Sequence, residues 1–157
     1  MSIILKAVKG NVLFFSFLLP LLTDEVLTLL GQDPFYWQSY HSANEISPAY
    51  FFLATHPILY ILGAILWLLA SYWIVKWLKY PLNMMFAIAC IAGHGWGSTS
   101  WLERMLGNAN LLSIANRPLI VFSWALLVLY FVLIGVCAGL SFFAYIRDHQ
   151  KKEASTA

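Results

Sequence analysis

Four runs of apolar residues, 11–22, 57–75, 82–92 and 119–144, contain no charged side chain and constrain this chain more than any other feature. A helix needs about 20 apolar residues to cross the roughly 30 Å of hydrocarbon in a bilayer, and each run approaches or exceeds that length. With 61% hydrophobic and 10% charged residues among 157, a water-soluble fold of this size lacks the polar surface to cover its apolar side chains. The expectation is an all-α integral membrane protein with four transmembrane helices. Residues 1–148 form its single domain and 149–157 a disordered cytoplasmic tail.

The placement of basic residues gives the orientation. Lys6 and Lys9 precede the first run, Lys76 and Lys79 lie between the second and third, and Arg147, Lys151 and Lys152 follow the fourth. Seven of the nine basic residues thus fall on one side, with only Arg104 and Arg117 on the other. The positive-inside bias puts both termini in the cytoplasm, N-in and C-in. With no organelle signal to read, a bacterial cytoplasmic (inner) membrane is the expected home. No small-x-small cleavage site follows the first run, so it reads as retained rather than as a signal peptide. The basic residues form no patch with interleaved aromatics, which argues against nucleic acid as a partner. Cys90 and Cys137 both fall in apolar surroundings, where a free thiol behaves as a small hydrophobe.

For the first helix two placements compete, 3–22 and 12–30; Pro20 is expected to kink it. The second placement draws Asp24 and Glu25 into the hydrocarbon, where an unpaired carboxylate costs several kcal/mol. An aromatic-rich outer loop follows, with a short interfacial helix over 49–55 begun by Ser47-Pro48. The second span starts at Pro57 and closes on an inner belt of Trp73, Lys76, Trp77, Lys79 and Tyr80. The third is expected over 82–97, followed by a separate amphipathic segment on the outer interface within 101–116. The fourth is expected over 118–146. Ala89, Gly93 and Gly97 recur at four-residue spacing, as do Gly135 and Gly139. Such small-residue faces let a neighbouring helix approach closely, so Gly93→Leu is expected to destabilise the fold or the assembly.

Asp24, Glu25, His56 and His94 all fall toward the outer end of the expected bundle. Intramembrane titratable groups face a bundle interior or a wet cavity, so these four are the candidate ligand-binding residues. Trp96 joins them from the Gly-rich stretch His94-Gly95-Trp96-Gly97. Asp24 and Glu25 are consecutive and so point about 100° apart on a helix. At least one of them is expected to hydrogen-bond His56, His94 or the backbone of that stretch. The two histidines are also the candidate ligands for a metal or haem; no motif names a cofactor. Cys90, His94 and Ser98 share a helix face, but a thiol in the apolar middle of a span is a packing residue rather than a nucleophile.

No catalytic motif is present. The leading expectation is a non-catalytic polytopic membrane protein, an accessory or assembly subunit of a larger membrane complex, whose partners are the lipid bilayer and other subunits or copies of itself. The alternative is a ligand-, metal- or haem-binding membrane protein, possibly an enzyme, with a polar site at the outer face.

Overall fold

The computed structural model of the chain describes residues 11–113 and 116–156. Lys6 and Lys9, the expected inner flank of the first helix, lie outside them, as do Ala157 and the side chain of Lys152. Among the described residues the fold is all helical. In chain order it consists of α1 (Phe14–Leu30), a 3-10 turn (Tyr40–Ser42), α2 (Tyr50–Thr55), α3 (Pro57–Trp77), α4 (Leu82–Asn108) and α5 (Arg117–Thr156).

The centre of the bundle is α1, which packs most extensively on α4, then on α5, and also touches α3. Its sequence suits that position because Phe14, Ser16, Phe17, Pro20, Leu21 and Thr28 are buried and span more than one helix face. The inner core joins Leu13, Phe14, Phe17 and Leu21 to Val75 of α3 and to Ala87 and Cys90 of α4. Edge-to-face contacts of Phe14 with Phe17 and Tyr72 tighten it. At the other end, Tyr36 is fully buried under the outer loop beside Leu53 and Tyr60, and its hydroxyl donates to the Leu53 carbonyl at 3.2 Å.

Four spans are not established by length and composition; among the described residues two helices, α3 and the 117–151 part of α5, are long and apolar enough to cross a membrane. At 17 residues, with Asp24 and Glu25 within it, α1 falls short of that standard, and the outer third of α4 is polar. On α3 and α5 most of the apolar surface faces away from the bundle, with Leu66, Leu69, Trp73, Val121, Leu129, Val132 and Leu140 exposed.

Several boundaries differ from the sequence reading. The first helix takes the placement that includes Asp24 and Glu25, with Pro20 buried inside it. The third does not stop near Gly97 but continues unbroken to Asn108, so no separate interfacial helix forms in the second outer segment, of which residues 114–115 lie outside the described ones. The cause is tertiary: buried Trp101 packs its ring against Gly31, where an added Cβ would lie 2.8 Å from the Leu27 carbonyl oxygen and into that ring. Arg104 then donates to Asp33 at 2.8 Å and covers the Trp101 ring, 5.3 Å from its centroid. The face expected to rest on lipid is thus spent on the outer loop. The fourth helix is also longer, 40 residues, and the 149–157 tail, expected to be disordered, is helical to Thr156. Its Gln, Lys, Glu and Ala residues are strong helix formers and extend a helix that is already nucleated.

Candidate functional site

Because Asp24 and Glu25 are consecutive, they leave α1 in different directions, and each finds a different helix. Asp24 turns to α4, where its Oδ2 lies 2.8 Å from His94 Nδ1. Glu25 turns to α3, where its Oε2 accepts from the Tyr60 hydroxyl at 2.7 Å, with the Glu25 carbonyl 3.1 Å from the same hydroxyl. The pairing expected between the acidic pair and a histidine is therefore present, through Asp24 and His94.

Gly97 makes the first contact possible. A Cβ at that position would sit 2.7 Å from the Asp24 carboxyl carbon, closer than two such atoms approach. His94 is one turn earlier on the same helix, so the missing side chain at 97 is the space into which the carboxylate settles to meet the imidazole. The glycine contributes close approach here; α4 stays helical through it.

The second ring nitrogen of His94 is also engaged. Trp67 Nε1 of α3 donates to His94 Nε2 at 3.0 Å. An indole N–H is only a donor, so Nε2 must present its lone pair and the single imidazole proton sits on Nδ1, pointing at Asp24. Trp67 thereby fixes the tautomer, and Asp24 Oδ2 accepts the hydrogen bond. The chain Asp24–His94–Trp67 thus links α1, α4 and α3. Its two titratable side chains are 19% and 17% exposed, while Trp67 is exposed. Around this cluster, Ser98 donates to the His94 carbonyl at 2.6 Å and receives the Tyr130 hydroxyl of α5 at 2.7 Å, which brings in the fourth long helix.

The remaining candidates do not join this cluster. His56 is the N-cap of α3: its Nδ1 accepts from the Ile58 amide at 3.1 Å, and its ring stands edge-on to Tyr40. It and His94 therefore have separate partners. Both nitrogens of His94 are occupied, and among the described residues no group of three or more His, Cys, Asp or Glu side chains could hold a metal ion. Trp96 is 78% exposed and faces outward.

Ala89, Gly93, Gly135 and Gly139 are likewise exposed, and a Cβ at Gly93, Gly135 or Gly139 would meet nothing within 4 Å. Within this chain those three glycines do not serve close helix packing. Of the small residues expected to do so, Gly97 alone meets such an approach, and from a carboxylate rather than a helix.

Sequence reasoning missed Tyr60, Trp67 and Tyr130. Their signal was a polar tip on an aromatic ring within an otherwise apolar run, since a buried Tyr or Trp takes a hydrogen-bond partner. Tyr60 and Trp67 are seven residues apart, two helical turns, and so share one face of α3. Beside Tyr60 and Glu25 a cleft of about 180 Å³ opens between α1 and α3, walled otherwise by apolar side chains such as Leu22, Val26 and Ile65.

Among the described residues no buried side-chain nitrogen or oxygen lacks a hydrogen-bond partner. The cluster ties α1, α3, α4 and α5 together through side-chain hydrogen bonds. Comparison with protein-family models, with curated proteins and with solved structures finds no match for this chain.

Proposed function

We propose that this is a four-span integral membrane protein, N-in and C-in, that works without catalysis as an accessory or assembly subunit, docking against other membrane subunits or copies of itself. The observation that carries the reading is an asymmetry in how the chain uses its surfaces. The buried polar groups among the described residues are satisfied within the chain, whereas large apolar side chains along α3 and α5 stay exposed. Apolar area on that scale belongs against lipid or another protein. The glycines at 135 and 139 of α5 and at 93 of α4 are also exposed with no neighbour of their own, and small residues are what membrane helices present to a close partner.

The inclusion of α1 as a span has its own support. A 17-residue helix rises about 26 Å, close to the roughly 30 Å of hydrocarbon. The two carboxylates of α1 face neighbouring helices, the arrangement that makes acids tolerable at that depth. The basic residues flanking α3 and ending α5 favour the cytoplasm on that side, and a bacterial inner membrane fits the composition.

Blue-native electrophoresis of the gently solubilised full chain tests the docking. The expected result is a complex larger than the monomer that is weakened by Gly93→Leu or Gly135→Leu, with the melting of the isolated chain unchanged. A monomer with no co-purifying protein, unaffected by either substitution, overturns it.

A second reading, a ligand-binding membrane protein, draws support from the cleft beside Glu25 and Tyr60. Its occupant is a small organic molecule, apolar apart from one hydrogen-bonding group. Native mass spectrometry of the purified protein distinguishes the two, since a retained small molecule that is lost in Tyr60→Phe favours the second.

A further inference from the structure

His94 carries a restriction that follows from proton counting. A neutral imidazole has one donor and one acceptor, and both are assigned: Nδ1–H faces Asp24 and the Nε2 lone pair receives the Trp67 indole. An imidazolium has two donors and no acceptor. His94 therefore cannot be protonated while Trp67 keeps its hydrogen bond, because two N–H groups would then face each other at 3.0 Å.

The bond at stake is structurally singular. Among the described residues, Trp67 to His94 is the only side-chain hydrogen bond that joins α3 to α4. The other side-chain hydrogen bonds from α3 to the bundle are Tyr60 on Glu25 of α1 and Asn11 Nδ2, just ahead of α1, donating to the Tyr72 carbonyl at 2.9 Å. Those two ties lie toward opposite ends of α3, with Trp67 between them. The indole also stands edge-on to Phe86 of α4, centroids 6.4 Å apart.

We propose that His94 is a proton-operated latch between α3 and α4: a proton taken from solvent onto Nε2 expels the Trp67 indole and breaks the side-chain hydrogen bond that joins the middle of α3 to α4, while the imidazolium stays on Asp24. The charged groups that face His94 are the carboxylates of Asp24 and Glu25, both from α1. From α3 the neighbouring groups are the Trp67 indole and the Tyr60 hydroxyl on Glu25, and from α5 the Tyr130 hydroxyl on Ser98. The arginine ion pairs of the described residues, Arg104 with Asp33 and Arg147 with Asp148, lie elsewhere. The surroundings thus hold negative charge to receive an imidazolium and no cation to oppose it. The inference rests on the hydrogen bonds alone and is independent of the docking proposed above.

The test is a nuclear magnetic resonance titration of the full chain in nanodiscs with 15N-labelled tryptophan and histidine, over about pH 8 to about pH 5, the range in which histidine changes charge. Trp67→Phe identifies the Trp67 indole signal by its loss. The expected result is a downfield, hydrogen-bonded indole proton at high pH that moves upfield as pH falls, with the same midpoint as the His94 ring nitrogens. In His94→Gln, whose side chain still accepts from Trp67 but does not titrate, the indole signal is expected to stay fixed. The latch is overturned by an indole signal that does not move across the range, that moves with a different midpoint from His94, or that moves equally in His94→Gln. The first two outcomes are read in the wild-type chain, so they hold even if the variant fails to fold.

Discussion

At the scale of single residues the chain's most consequential side chain is one it lacks. Gly97 leaves the volume that the Asp24 carboxylate occupies. Gly97→Ala would push that carboxylate off His94 or displace α1 from α4. Overpacking of this kind costs about 1–3 kcal/mol, and the drop should appear in thermal unfolding of the detergent-solubilised protein. Gly93→Ala, on the same helix with open space around it, is the control that should leave the melting point unchanged. Equal effects of the two would show that Asp24 does not rest on Gly97. The comparison also explains what the four-residue spacing of small side chains concealed. Ala89, Gly93 and Gly97 share a pattern, yet only the last faces the bundle, and spacing alone does not say which way a stripe looks.

At the scale of elements, the outer third of α4 poses a choice between two kinds of anchor. The ion pair from Arg104 to Asp33 has side chains 29% and 42% exposed, and a solvent-screened pair contributes about 0–1 kcal/mol. The ring of Trp101 seated on Gly31 is buried packing, and a methyl group placed there costs about 1–3 kcal/mol. Gly31→Ala should therefore loosen the outer end of α4, read as faster amide exchange over 98–108, while Asp33→Asn should change it little. The reverse ranking would make the ion pair the anchor. This contact also marks where the sequence stopped being legible. The start of α3 at Pro57 and its end in the Trp73–Trp77 belt could be read directly, because Pro at N1 and a Lys-aromatic flank are local signals. The continuity of α4 could not, because Gly95, Gly97 and the polar run after them read locally as a break, and only the loop packed on Trp101 makes a helix there worth forming. The Asp24 to His94 contact was within reach, since titratable groups in apolar runs seek partners. Trp67 was not, since nothing local separates an indole that donates to a histidine from one that faces lipid.

At the scale of the whole molecule, the proposed topology makes a prediction for each end and each loop. Reporter fusions after Tyr80 and after Ala157 should read as cytoplasmic, and fusions after Asn44 and Asn108 as external. With only α3 and α5 crossing, Tyr80 and Asn108 would report one side and Asn44 and Ala157 the other, and α1 and α4 would not be spans. The length of α5 has a bearing of another kind. Forty helical residues make a rod of about 60 Å, roughly twice the thickness of the hydrocarbon. On the proposed orientation part of that excess, the ten residues 147–156, emerges at the end that carries Arg147 and Lys151. A coil of the same ten or so residues would sweep a volume and meet the headgroups at random, whereas a stiff extension of a span holds its tip at one height and one bearing. The chain would then carry a gauge, so that whatever engages that tip is set at a distance from the lipid surface counted in helical turns.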